Sequence, residues 1–148
     1  APVAAWFWMK LGDRQPSTSR KFSIGLLLAG LSFIVMLVPG YLSGGDSLVS
    51  PYWLILSYLI VTLGELCLSP VGLSATTKLA PAAFSAQTMS LWFLASAVAQ
   101  AINAQLVKLY STETELLYFG LIGGFAILCS IIIYFISPTI QKYMRGVK

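Results

Sequence analysis

Apolar residues form long continuous runs in this chain, and short polar stretches separate the runs. Crossing a bilayer as one helix takes about 20 mostly apolar residues. A shorter apolar stretch, residues 1–9, contains Trp6 and Trp8, which are typical of a membrane interface. We interpret it as the end of a preceding helix. Four runs are long enough to cross, and they cover residues 22–42, 52–73, 85–109 and 116–136.

The polar stretches between the runs contain the residues that interrupt helices. Gly and Pro occur in the connector 10–21, and Gly and Ser are frequent in 43–50. The chain opens with Ala-Pro-Val and without a charged amino-terminal region, so we predict no signal peptide and interpret it as a segment of a longer protein. The pattern predicts one all-α integral membrane domain over residues 1–148, with four full transmembrane helices and the end of a fifth.

Small residues in two of the runs predict close contacts between helices. Gly25, Ala29 and Gly30 occur in the first run, and Gly120 and Gly124 form a GxxxG pattern in the last. Without bulky side chains, two helix backbones can approach closely inside a membrane. We therefore expect these positions to lie at helix–helix interfaces.

The composition supports a membrane protein and argues against several other classes. Hydrophobic residues make up 57% of the chain and charged residues 9%, against about 25% charged in a soluble domain. The net charge is +4, but the basic residues lie in connectors and tails rather than on one amphipathic face, so nucleic-acid binding is not expected. There is no histidine, the usual proton relay and metal ligand, and we expect neither a metal nor a cofactor.

The basic residues predict the orientation of the chain in the membrane. Segments 10–21, 74–84 and 137–148 hold eight of the nine Lys and Arg residues, and Lys108 is near the opposite side. Because basic connectors stay in the cytoplasm, these three segments and the carboxy terminus are predicted to be cytosolic.

The second run contains one ionisable residue, Glu65. A carboxylate at the bilayer centre costs about 2.5–3.5 kcal/mol even on lenient insertion scales, so Glu65 should face protein or water. Ser69 and Leu73 follow at i+4 and i+8 and share its helix face. Pro70 removes a backbone hydrogen bond and Gly72 loosens the same turn, which predicts either a passive kink or a hinge. The pattern is typical of a transport site, although Glu65 could instead pair with a basic residue on another helix.

The third run has a polar and aromatic stripe along one face, formed by Trp92, Ser96, Gln100 and Asn103. Counting residues places Glu65 and Trp92 both about 10–12 Å from the cytosolic boundary. We therefore expect the two at one level of a shared cavity. The alternatives are a packing role for Trp92 and interhelical hydrogen bonds for Ser96, Gln100 and Asn103.

Several motifs together resemble the proton-dependent oligopeptide transporter family. The region around Trp6-Phe-Trp8 and Leu-Gly-Asp-Arg-Gln-Pro16 is similar to that family's connector between helices 8 and 9. The segments that resemble helices 10 and 11 are Glu65-Leu-Cys-Leu-Ser69-Pro70-Val-Gly72-Leu73, Lys78-Leu-Ala-Pro81 and Ser90-Leu-Trp92-Phe93-Leu.

The resemblance implies a major-facilitator fold, in which this chain forms the carboxy-terminal bundle from the end of helix 8 to helix 12. It implies that Glu65 holds the amino terminus of a peptide substrate. The other residues implied to line the substrate pocket are Ser69, Trp92, Phe93 and Ser96. The residues implied to form the cytoplasmic gate and hinge are Leu73, Pro70 and Gly72.

The implied activity is proton-coupled uptake of di- and tripeptides by alternating access across the plasma membrane. The implied partners are the peptide, protons, the lipid bilayer, and the amino-terminal bundle and helix 7 of the same transporter, without which the chain should not transport. An enzyme is not expected, because no nucleophile–base pair lies in a span. A carrier for nitrate or another small solute and a stand-alone four-helix channel or exporter are the alternatives.

Overall fold

The computed structural model describes residue 10 and residues 16–43, 50–111 and 113–144. The apolar stretch 1–9, interpreted above as the end of a helix, lies outside the described residues. The described segments confirm the all-α prediction, with two single-turn 3₁₀ helices at Ala82–Phe84 and Val107–Leu109. The complete α-helices are α1 (Thr18–Val35), α2 (Leu37–Ser43), α3 (Tyr52–Leu79), α4 (Ser85–Leu106) and α5 (Glu115–Tyr143).

Four stretches of the described chain are long and apolar enough to cross a membrane, as predicted. They are Thr18–Leu42, Tyr52–Leu79, Ser85–Leu109 and Glu115–Tyr143. Each contains the whole of one predicted run. The helices themselves extend beyond the apolar runs at several ends, and one of these extensions changes the geometry of the candidate site.

The α3 helix continues for six residues past Leu73, where the apolar run ends. This polar turn is still helical, and in it the hydroxyl of Thr76 donates a hydrogen bond to the Gly72 carbonyl at 2.7 Å. The helix ends at Leu79 because Pro81 disfavours helical geometry in the residue before it, and Ala80 is extended, with a ψ of 133°. Hydropathy therefore marked the end of the apolar run in this segment and not the end of its helix.

The first span is interrupted, although it was predicted as one helix. The α1 helix ends at Val35, Met36 forms a turn, and α2 begins at Leu37. Pro39 explains the interruption, because it cannot donate the hydrogen bond that the Val35 carbonyl would otherwise accept.

The α1 helix lies between α3 and α5 and runs antiparallel to both. Its closest approaches to these two helices are made at glycines. A Cβ added to Gly25 would lie 3.0 Å from the carbonyl oxygen of Gly64 on α3, and one added to Gly30 would lie 2.9 Å from that of Gly123 on α5. The backbones touch at these points, which is the close approach that small residues permit in membranes.

The glycine prediction was correct for α1 and wrong in its detail for α5. Gly123 contacts α1, whereas a Cβ on Gly120 would reach only the Leu37 side chain, at 3.9 Å. A Cβ on Gly124 would have nothing within 4 Å. The GxxxG spacing therefore identified the correct region of α5 but not the face that packs.

Buried serines hold the same helices together. Ser23 on α1 and Ser130 on α5 exchange hydrogen bonds: each hydroxyl donates to the other residue's carbonyl, at 2.9 and 2.7 Å. On the other side of α1, the Ser57 hydroxyl of α3 donates to the Ser32 carbonyl at 2.9 Å. Such interhelical hydrogen bonds contribute on average about 0.6 kcal/mol each. This serine network could not be predicted from the sequence, because single serines in apolar runs have no characteristic spacing.

The α4 helix is arranged differently. It follows α3 after the short connector at 80–84 and packs against that helix, but none of its residues is buried. The other long helices each have buried residues. One side of α3 and nearly all of α4 therefore form an open surface, and this surface contains the predicted site residues.

Candidate functional site

The predicted site residues on α3 share one face of that helix. Gly64 points towards α1, and the next residue, Glu65, lies about 100° around the helix from that contact. Ser69 lies one turn further on, and Gly72 lies seven residues from Glu65, within about 20° of the same direction. Glu65 and Ser69 are exposed in the described chain, and Leu73 is 40% exposed.

No cation contacts the Glu65 carboxylate within residues 16–43, 50–111 and 113–144. The alternative in which Glu65 pairs with a basic residue of a neighbouring helix therefore finds no support in this part of the chain. The carboxylate projects from a transmembrane helix onto an open face. Because a charge in hydrocarbon is costly, we expect water, another part of the protein or a cationic ligand to meet it.

Trp92 of α4 lies on this same face of α3, against Gly72. A Cβ built on Gly72 would lie 2.7 Å from both Cζ2 and Cζ3 of the indole and closer still to Cη2. The other side of the indole meets Phe22 of α1, with ring centroids 6.3 Å apart and the planes at 85°. Trp92 is consequently half-buried, and it contacts two helices of the bundle.

This position corrects the expected level of Trp92. Gly72 lies seven residues before the end of α3 at Leu79, and Trp92 lies seven residues after the start of α4 at Ser85. The two are thus equally far from the connector, whereas Glu65 lies two turns deeper, about 10 Å along α3. The expectation that Glu65 and Trp92 share one level was wrong, because it assumed that α3 ends at Leu73.

The remaining residues of α4 are arranged along the Trp92 side of the helix or beside it. The Ser96 hydroxyl donates to the Trp92 carbonyl at 3.1 Å and lies one turn further from the connector. Gln100 and Asn103 continue the same stripe and are exposed. Phe93 is 62% exposed and lies about 100° around the helix from Trp92, so it does not belong to the face that meets Gly72.

The structure suggests a role for Gly72 other than loosening the helix. Helix α3 runs through Pro70 without a break. Gly72 lies where any side chain would overlap the indole, so contact alone explains a glycine at this position. The Thr76 and Thr77 hydroxyls donate to the carbonyls of Gly72 and Leu73, at 2.7 and 3.2 Å, and such back-bonding often bends a helix slightly.

Charged groups collect at one end of the bundle. The guanidinium carbon of Arg20 lies 5.7 Å from the centre of the Tyr134 ring, which brings the start of α1 beside the end of α5. Lys78 and Lys142 lie in the last turns of α3 and α5, where a cation interacts favourably with the helix dipole. Across the described residues, no three His, Cys, Asp or Glu side chains lie together as metal ligands could.

The sequence profile described as the POT family matches residues 1–137, and the chain belongs to this family. It is 63% identical over 147 residues to the uncharacterized transporter YclF of Bacillus subtilis, covering 99% of this chain and 30% of that protein. It is 45% identical over 148 residues to a di-/tripeptide transporter of Lactococcus lactis, covering all of this chain and 30% of the relative. The chain therefore spans about 30% of the length of these relatives.

Solved structures of transporters show the same arrangement of helices. A mutant of the peptide transporter POT in complex with alafosfalin superposes with a TM-score of 0.91 at 68% identity, over 98% of this chain and 30% of that one. A POT family transporter in complex with a thioalcohol conjugated peptide gives a TM-score of 0.87 at 52% identity, over 94% of this chain and 28% of that one. The helices described above thus form part of the major-facilitator fold of a POT transporter, a multi-pass membrane protein.

Proposed function

We propose that this chain forms the carboxy-terminal part, from the end of helix 8 to helix 12, of a transporter that takes up di- and tripeptides together with protons. The relative from Lactococcus lactis is named a di-/tripeptide transporter, and one similar structure holds a conjugated peptide. The observation that carries the proposal is the open face of α3. It presents the Glu65 carboxylate and the Ser69 hydroxyl, with Trp92 at its connector end.

Glu65 binds the amino terminus of the peptide. An ammonium group that leaves water needs an anion, and breaking a buried charge pair by removing one partner typically costs about 3–5 kcal/mol. Ser69, one turn away, supplies a hydroxyl that can donate or accept. The carboxylate end of the peptide requires cations, which we assign to the remainder of the transporter, as we do the groups that couple transport to protons.

Trp92 contacts a side chain of the peptide rather than its backbone. The indole offers a broad apolar surface and one N–H donor, which suits varied side chains. Its distance of about 10 Å from Glu65 along α3 corresponds to about three extended residues, so it meets the peptide beyond the first residue. Ser96 continues this wall one turn away, and Phe93 lines the neighbouring side of α4.

The cytoplasmic gate lies between Glu65 and the connector. Leu73, bulky and 40% exposed, closes the path, and Pro70 is the hinge about which the end of α3 moves. The basic ends of α1, α3 and α5 face the cytosol, so the carboxy terminus is cytoplasmic. We assign the transporter to the plasma membrane because its proposed role is uptake. The protein carries its substrate without chemical change and is not an enzyme.

Competition for uptake of a labelled dipeptide by the full-length transporter tests this function. The Glu65→Gln variant should bind dipeptides with a free amino terminus at least tenfold more weakly than wild type. N-acetylated dipeptides, which lack the ammonium group, should compete poorly in both wild type and variant. Their affinity should be no lower in the variant than in wild type. Glu115→Gln, the same change at the start of α5, is the matched control and should behave as wild type.

Two results would contradict the proposal. If dipeptides compete equally well in Glu65→Gln and wild type at equal expression, Glu65 does not hold the amino terminus. If unlabelled nitrate or another small solute, but no peptide, blocks transport in the wild type, the substrate class is wrong.

A further inference from the structure

We propose that Gly72 and Phe22 are positioning residues that together form a socket for Trp92, and that this socket determines which peptide side chains the transporter accepts. Neither residue belongs to the proposed set that contacts the peptide in the pocket. The inference rests on the proposed function for its consequence in transport. The socket itself is a matter of packing and can be tested without any substrate.

One wall of the socket is the backbone of α3 at Gly72. A Cβ at this position would lie within 3.0 Å of three indole atoms, at 2.7 Å from Cζ2 and Cζ3. The indole is a rigid plane, so it cannot yield by bending as the end of a flexible chain would. Any side chain at position 72 therefore makes Trp92 rotate away from α3 or forces the two helices apart.

The other wall is the ring of Phe22 in the second turn of α1. The two aromatic groups meet edge to face at a centroid separation of 6.3 Å, within the range that favours such pairs. Phe22 is itself firmly placed, because the next residue, Ser23, is 4% exposed and exchanges hydrogen bonds with Ser130 of α5. The backbone position of Phe22 is thus set by the contact between α1 and α5.

The socket matters because α4 has little else to hold it in this part of the fold. No residue of α4 is buried in the described chain, so Trp92 is where this helix engages both α3 and α1. The rotamer of Trp92 and the position of α4 relative to Glu65 consequently depend on the same two contacts. A change at Phe22 or Gly72 then alters the pocket from outside it.

A double-mutant cycle tests the packing independently of transport. The apparent Tm of the purified full-length transporter is measured for wild type, Gly72→Ala, Trp92→Phe and the double variant. We expect Gly72→Ala to lower the Tm, and the double variant to regain most of that loss, since a benzyl ring leaves room for the added methyl group. Equal losses from Gly72→Ala in the two backgrounds would overturn the socket.

A peptide panel tests the effect on selectivity. Dipeptides that differ only in side-chain size compete with a labelled dipeptide in wild type, Phe22→Leu and Phe22→Tyr. We expect Phe22→Leu to change the ranking, with bulky side chains losing at least threefold relative to alanine, and Phe22→Tyr to keep the wild-type order because an aromatic ring remains against the indole. Phe33→Leu is the matched control: Phe33 is also on α1, but its ring contacts Phe119 instead, at 6.2 Å.

The outcomes separate this inference from the proposed function. Coupling in the Tm cycle combined with an unchanged ranking in Phe22→Leu overturns the role in selectivity. A ranking that changes equally in Phe33→Leu also overturns it, because the effect would then be general to α1. If the wild type accepts no peptide, the proposed function fails, while coupling in the Tm cycle still establishes Gly72 as a positioning residue for Trp92.

Discussion

Helices α1 and α4 are both apolar enough to cross a membrane, yet they are built for different surroundings. Seven residues of α1 are buried, with Gly25 and Ser32 towards α3 and Gly30 and Ser23 towards α5. No residue of α4 is buried. Within this part of the fold, α1 is the centre of a three-helix core and α4 is attached at its edge.

This difference in burial indicates which surface the rest of the transporter covers. The α4 span is the least apolar of the four, with a mean hydropathy of 1.3 against 2.3 for the α1 span, and nevertheless it is the most exposed. Polar groups such as those of Gln100 and Asn103 are costly in lipid. The chain spans about 30% of the length of its relatives. We therefore expect the other helices of the transporter and the substrate cavity to cover this surface. Changes where α1 packs against α3 and α5 should therefore affect stability, and changes in α4 should affect transport.

The largest effect is expected from adding one methyl group to the α1 core. Gly30→Ala would place a Cβ 2.7 Å from Ile127 Cγ1 and 2.9 Å from the Gly123 carbonyl oxygen. Overpacking against backbone should cost about 3 kcal/mol, the upper end of the usual range, and lower the apparent Tm in detergent. Gly124→Ala, for which the described chain offers no contact within 4 Å, is the control and should melt as wild type. If the two variants had similar apparent Tm values, the contact at Gly30 would not belong to a stable core.

Truncating the aromatic anchor of α4 should change selectivity more than folding. In Trp92→Ala, peptides whose later residues carry bulky apolar side chains should lose about tenfold or more in affinity, equivalent to about 1.4 kcal/mol, because the apolar wall that they touch is removed. Dialanine should lose less. Inhibition of labelled dipeptide uptake by a panel varied separately at the first and second residue measures this. A uniform loss across the panel would show that Trp92 maintains the shape of the cavity in general.

The hinge proposed at Pro70 should affect the rate of transport more than binding. Pro70→Ala restores the hydrogen bond to the Leu66 carbonyl and stiffens α3 on the gate side of Glu65. We expect several-fold slower exchange of labelled peptide across proteoliposomes, with little change in its affinity. Gly72 is left intact in this test, since its replacement would also displace Trp92. Equal losses of rate and affinity, or of neither, would indicate that Pro70 is only a packing feature.

The smallest expected effect is the loss of one serine hydroxyl from the core. Ser23→Ala removes the donor to the Ser130 carbonyl and should destabilise the transporter by about 0.6 kcal/mol, with an upper bound of about 1.7 kcal/mol. Ser96→Ala on α4 removes a hydroxyl that bonds within its own helix and should leave the Tm unchanged. Apparent Tm values from both variants make the comparison. A larger loss in Ser96→Ala would place α4 in the stable core.

The sequence by itself determined the number and order of the transmembrane helices and the shared face of Glu65 and Ser69. These follow from local properties, because hydropathy over about 20 residues identifies a span and a 3.6-residue period assigns each residue to a side of its helix. The same periodicity placed Trp92, Ser96, Gln100 and Asn103 on one stripe. Gly72 was predicted only to loosen its turn, and nothing in the sequence indicated its contact with Trp92.

Only the tertiary structure decided the level along one helix at which a residue of a neighbouring helix lies. The level of Trp92 depends on where α3 ends, and that end is set by Pro81 rather than by the loss of hydrophobicity at Leu73. Likewise, three glycines lie within five residues of α5, but Gly123 alone among them touches the backbone of α1. Spacing within a helix cannot reveal such pairings, because they depend on the rotation and shift of two helices relative to each other, which the contacts along their whole length determine together.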